Sequence, residues 1–138
     1  MSRADDLNLV LAGEHAAVWL LATVAGRTST SESPTLAADL RSAHDLHRAR
    51  RDQLVRMLRD LDAEPVAPEV AYDLPNRATT PAQCRKTALQ VERRCTVLYS
   101  DLVSRTEETT RSWAINALVD SAVRQLAFGG TPAPLPGA

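Results

Sequence analysis

Residues 80–128 read TPAQCRKTALQVERRCTVLYSDLVSRTEETTRSWAINALVDSAVRQLAF, and the fold turns on this stretch. Between Ala82 and Phe128 it holds neither glycine nor proline. Thr80-Pro81-Ala82-Gln83 combines a capping hydroxyl, a first-turn proline and a returning amide, so a helix starts there. Cys84, Ala88, Val91, Cys95, Leu98 and Leu102 then recur at helical spacing. One helix continued to Phe128 would be about 70 Å long, more than a domain of this size can cover. The chain must turn, and Ser104-Arg105-Thr106-Glu107, a second capping-box pattern, is the predicted break. The helix beyond it carries Trp113, Ala117, Leu118, Ala122 and Leu126 on its inner stripe and stops at Gly129-Gly130.

Working upstream, residues 63–79 hold Pro65, Pro68 and Pro75, each of which removes a backbone donor, so they form no regular element. A connection of that length crosses one end of a bundle, or its whole length, with Tyr72 and Leu74 as its anchors. Before it, Ser33-Pro34 starts a helix reaching about Asp62, with Leu36, Leu40, Ala43, His47, Leu54, Leu58 and Leu61 inward. Leu7, Val10, Leu11, Val18, Leu21 and Val24 mark a first helix from Leu7 to Ala25, ended by Gly26. The predicted fold is all-α: an antiparallel four-helix bundle over residues 1–128, with a long Pro-rich connection between helices 2 and 3. Residues 129–138 form a Pro/Gly-rich extended tail.

Composition agrees. The chain's 138 residues include 22 Ala, 18 Leu and 15 Arg against one Lys and five aromatics, an alphabet of helix formers. The 16 basic and 17 acidic residues balance, which argues against a nucleic-acid binder or a polybasic membrane protein. No apolar run reaches the roughly 20 residues of a membrane span, and Met1-Ser2-Arg3-Ala4-Asp5-Asp6 lacks the pattern of a signal peptide. The expectation is a soluble, cytoplasmic protein with no nucleic-acid or membrane partner. Cys84 and Cys95, 11 positions apart on one helix, would lie roughly 16 Å apart, too far for a disulfide, and read as buried core thiols. Neither a Gly-rich phosphate loop nor a nucleophile elbow is present.

Function therefore narrows to polar residues on apolar stripes. Glu14 lies three residues after Leu11, four before Val18 and seven from both Leu7 and Leu21, so it points where the core residues point. His44 and His47 stand at i, i+3 on helix 2, Glu92 lies between Ala88 and Cys95, and Asp120 follows Trp113 by seven. A carboxylate in a core must be paired, protonated or bound to a metal. Glu14-His15-Ala16-Ala17, His47-Arg48-Ala49-Arg50-Arg51-Asp52, Ala71-Tyr72-Asp73-Leu74-Pro75, Glu92 and the closing Gly129-Gly130-Thr131-Pro132 resemble the ferritin-like "domain of unknown function 4439" family. That family is mostly actinobacterial, which suits an Ala/Arg-rich, Lys-poor chain. The resemblance implies a four-helix bundle and brings no established activity.

Di-iron ferritin-like proteins place Glu on two helices and Glu-x-x-His on the other two. Here helix 2 reads His44-Asp45-Leu46-His47 and helix 4 reads Asp120-Ser121-Ala122-Val123, so one carboxylate and one histidine of that set are missing. A metal site would draw on Glu14, His44, His47 and Glu92, with iron, manganese or zinc as the ion. The leading expectation is instead a polar core network of Glu14, His47, Arg51, Glu92 and Asp120. In it an arginine from the Arg48, Arg50, Arg51 group supplies the positive charge in place of a metal. His15 is expected at an interface or the surface, and Trp19 and Trp113 in the core or a dimer contact. Together these predict a non-catalytic structural or interaction module with a degenerate metal site and no cofactor, plausibly a homodimer or bound to another protein. Its rivals are a metal-binding protein or oxidase, and a small-molecule binder with a pocket near Glu14 and Glu92.

Overall fold

The computed structural model describes residues 2–132 and 134. Four helices make up its regular structure: α1 (Arg3–Gly26), α2 (Pro34–Asp60), α3 (Pro81–Arg105) and α4 (Glu108–Ala127). No strand occurs among the described residues. Of the extended tail expected over 129–138, residues 133 and 135–138 lie outside them.

The helix ends follow local chemistry, with several corrections. α1 begins four residues before the expected Leu7, because Ser2 and Asp5 form a reciprocal capping box. At α3 the Thr80 hydroxyl accepts from the Gln83 amide, but the Gln83 side chain reaches Thr79 rather than Thr80. The break between α3 and α4 falls where expected for a different reason. Ser104 donates to the Asp101 carbonyl inside α3, and Glu107 precedes α4 with no side-chain cap. α2 stops at Asp60, two residues early: Asp62 takes a φ of 54° while its N–H and that of Ala63 bond back to Arg59 and Leu58. That is a Schellman ending with Asp where glycine is usual.

Contacts along the helices give their directions. Asn8 meets Glu64 just past the end of α2, while Glu14 meets His47 in its middle, so α1 and α2 run oppositely. Asp6 meets Arg105 and Glu14 meets Tyr99 and Cys95, so α1 and α3 do too. Thr96 with Gln125 and Tyr99 with Trp113 give the same sense for α3 and α4. The connection between α2 and α3 must then return along the bundle, and it does so beside α1. Asn8 clasps the backbone of Glu64 and Val66, the His15 Nε2–H donates to the Val66 carbonyl at 2.9 Å, Tyr72 packs on Trp19, and Arg27 donates to the Arg77 carbonyl. His15 is thus buried beneath the connection rather than placed at a surface or interface.

The core is built from Leu7, Leu11, Leu21, Leu40, Leu54, Leu58, Tyr99 and Leu102, all essentially solvent-free. α4 is turned away from the expected phase. Its buried residues are Ala114, Ala117 and Ser121, while Trp113, Leu118 and Ala122 are half-buried and Leu126 is exposed. Small side chains let this helix approach α3 closely. α1 also corrects the reading of run length: by length and composition it could cross a membrane, because Glu14 is its one Asp, Glu, Lys or Arg between Asp6 and Arg27. Half of that stretch is buried in the bundle.

Candidate functional site

Midway along the bundle, Glu14 of α1, His47 of α2 and Glu92 of α3 meet, all with no solvent exposure. Each stands on its helix's apolar stripe, so packing those stripes together brings the three polar groups together. Glu14 Oε1 lies 2.6 Å from His47 Nδ1, and both Glu92 oxygens lie 2.9 Å from His47 Nε2. A carboxylate can only accept, so both ring nitrogens must donate, and the ring is an imidazolium. Burial, the largest single influence, pulls the His47 pKa down; the Glu14 charge, the neighbouring Cys95 and the hydrogen bonds of both together outweigh it and hold the value well above the usual 6.5.

Glu14 collects two more donors from α3. The Cys95 thiol donates to Oε1 at 3.4 Å and the Tyr99 hydroxyl to Oε2 at 3.1 Å. Burial, then the Glu14 charge, pushes the Cys95 thiol up to about 12, and the same two causes raise Tyr99 well above 10. Both groups stay protonated and act as donors. They carry no nucleophile's charge.

The charge pattern continues outward through α2. The Arg50 guanidinium lies over the Tyr99 ring, 5.4 Å from its centroid, donates to Ser121 at 3.0 Å and pairs with Asp120 at 2.9 Å. Arg124 pairs with the same Asp120 oxygen at 2.8 Å. The three acids Glu14, Glu92 and Asp120 are thus balanced by the three cations His47, Arg50 and Arg124. Every buried side-chain nitrogen and oxygen among the described residues has a partner.

Three of the expected residues, Glu14, His47 and Glu92, come together; the others do not. The arginine of the network is Arg50, not Arg51, whose side chain is 29% exposed and pairs with Asp52. Leu40, Ala43, His47, Arg50 and Leu54 alternate by three and four, which keeps position 50 on the seam and leaves 51 at its edge. Asp120 belongs to the arginine pair on the flank and makes no contact with the buried trio. His44 turns to its neighbour Asp45 at 3.4 Å, away from the site. Cys95 and Tyr99 join the site unannounced, because a thiol and a phenol on an apolar stripe read as core.

The family model described as a domain of unknown function, DUF4439, matches residues 6–138. The chain belongs to that family. The chain is also similar to the crystal structure of a conserved hypothetical protein, rv2844, from Mycobacterium tuberculosis, with a TM-score of 0.83 at 25% identity, covering 93% of this chain and 96% of that one. No curated protein matches.

The buried cluster of this chain does not fit a dinuclear metal centre. Two bridged iron ions call for about four carboxylates and two histidines. Here two carboxylates and one histidine converge, and both ring nitrogens are engaged by those carboxylates. As it stands, the cluster stores one proton between two acids and fixes the relative positions of three helices.

Proposed function

We propose that this chain is a ferritin-like bundle whose metal site has become a proton-held polar core, and that it works without catalysis as a structural or interaction module. One observation carries the reading: the His47 ring sits between Glu14 and Glu92 with both nitrogens engaged, in the place a cation would take. The test is elemental analysis of protein purified without a His tag or chelator, repeated after adding Fe(II), Mn(II) and Zn(II). The expected result is no stoichiometric ion. One ion per chain, lost in Glu14→Ala or His47→Ala, would overturn the proposal.

A second reading has its own support. Glu14, His47 and Cys95 each offer a ligand atom, and these atoms lie within 4.8 Å of one another. A mixed O, N, S set suits one zinc ion better than two irons. Binding would require His47 to give up a ring proton and Cys95 its thiol proton, so zinc uptake by this route releases protons and strengthens as pH rises.

The partner we favour is a second copy of the chain. α4 is apolar on two faces, and the outer one presents Ile115, Val119, Val123 and Leu126, each 40% exposed or more. Ile115 and Val123 are spaced equally about Val119, so the stripe is complementary to itself when two copies cross antiparallel.

A further inference from the structure

Between α1, α3 and the connection lies a cleft of about 190 Å³ that shares only Cys95 with the buried cluster. It exists because both walls are made of short side chains: Gly13, Ala16 and Ala17 on α1 face Thr87, Val91 and Cys95 on α3. Space left beside a packed core destabilises a fold in proportion to its volume unless something occupies it. Ordered water needs two or more polar partners. On the inner walls Thr87 accepts from Asn76 at 3.2 Å and Cys95 is turned to Glu14, while Gln90 stands at the exposed rim. The inner part of the cleft therefore suits an apolar group.

At the mouth the chemistry reverses. Asp73 of the connection and Arg94 of α3 both line the opening and are exposed. They stand more than 4 Å from each other, and neither forms an ion pair among the described residues. A guanidinium and a carboxylate held apart over an apolar floor match the two charged ends of a zwitterion.

We propose that this cleft binds a free α-amino acid with an apolar side chain. Its carboxylate meets Arg94, its ammonium meets Asp73, and its side chain lies against Ala16, Ala17 and Val91. An apolar cavity of about 150 Å³ takes a benzene-sized guest, so this one accommodates leucine, methionine or phenylalanine. The proposed contacts use none of Glu14, His47 and Glu92; Cys95 is the one residue shared by the cleft wall and the buried cluster.

Calorimetric titration and methyl NMR of the full chain test this with L-leucine, L-methionine and L-phenylalanine. Two controls run beside them: 4-methylpentanoate, which lacks the amine, and 3-methylbutylamine, which lacks the carboxylate. At least one amino acid should saturate a single site per chain and shift the Ala16 and Ala17 methyl resonances. Arg94→Gln and Asp73→Asn, both at exposed positions, should each weaken binding by about tenfold or more. Ala16→Leu, which fills the cleft, should abolish it; if that variant misfolds, the two rim variants decide. Any of three results would overturn the proposal: no saturation by any of the amino acids up to about 10 mM, equal binding of either control compound, or methyl shifts confined to another part of the bundle.

Discussion

At Glu14 three donors converge from two helices, His47 from α2 and both Cys95 and Tyr99 from α3. Glu14→Leu strips all three of their acceptor and leaves an imidazolium paired with Glu92 alone. His47 has no exposed surface and cannot swing to solvent, so the expected loss is about 3–5 kcal/mol, the range for breaking one side of a buried ion pair. Urea unfolding at neutral pH measures it, and a loss under about 1 kcal/mol would mean the site relaxes by giving up its proton. The same residue sets a pH dependence. Burial lowers the His47 pKa, Glu14 and Cys95 together raise it more, and the folded value stands well above 6.5. The unfolded chain releases this proton near pH 6.5 while the folded chain keeps it. The stabilisation is therefore complete below about pH 6.5 and is lost as pH rises through the folded value, at up to about 1.4 kcal/mol per pH unit. Tyr99 and Cys95, both raised, add a loss of the same sign at higher pH. Thermal unfolding across this range should show Tm falling steadily with pH; a flat profile would contradict a cationic His47.

Among the elements, the C-terminal ends of α2 and α4 make an instructive pair. Both close with the same two backbone hydrogen bonds, Ala63 to Leu58 and Asp62 to Arg59 in one, Gly130 to Gln125 and Gly129 to Leu126 in the other. The left-handed position is filled by Asp62 in α2 and by Gly129, at a φ of 90°, in α4. An L-residue in that conformation costs about 1–2 kcal/mol. Asp62→Gly should stabilise the protein by about 1 kcal/mol, and Gly129→Ala should destabilise it by a similar amount. Opposite Tm shifts for the two variants check the prediction. This contrast also explains a boundary: the α4 stop is visible in sequence because glycine marks it, whereas an aspartate doing the same work let α2 seem two residues longer. The α3–α4 break was legible as a place, since an unbroken helix was too long, but Ser104 did not supply the cap.

For the whole molecule, the question is what covers the outer face of α4. Val119 is 54% exposed and Val123 58%, in a stripe that uses none of the charged groups tying α4 to α2. With a second copy on this stripe, Val119→Glu should yield monomers at every concentration while leaving the Tm of dilute protein unchanged. Sedimentation equilibrium decides it, and a wild-type chain that is already monomeric at high concentration would remove the dimer. Phase is what the sequence left open here. Leu118, Ala122 and Leu126 make as good an apolar stripe on paper as Ala114, Ala117 and Ser121 do in the bundle, and α4 takes the smaller set because it packs close against α3.

The sequence by itself determined the four helices and the long connection, and it put the buried trio among its candidates, together with His44, Arg51 and Asp120, which pair elsewhere. Each of those follows from short-range facts: Gly and Pro placement, helical spacing, and a Glu or His standing where its helix is apolar. Only the tertiary structure decided where the arginine goes: Arg50 pairs with Asp120 on the flank and not with Glu14 or Glu92. Neighbouring arginines at 50 and 51 point about 100° apart around one helix, and the packing of α2, chiefly against α1, decides which of them reaches Asp120 and Ser121. It also decided that His47 is itself the positive charge, because a ring becomes an obligate double donor only when two carboxylates from different helices close on its opposite nitrogens. Spacing along one helix determines which residues face inward. The proton that holds the centre of this bundle depends on three helices meeting.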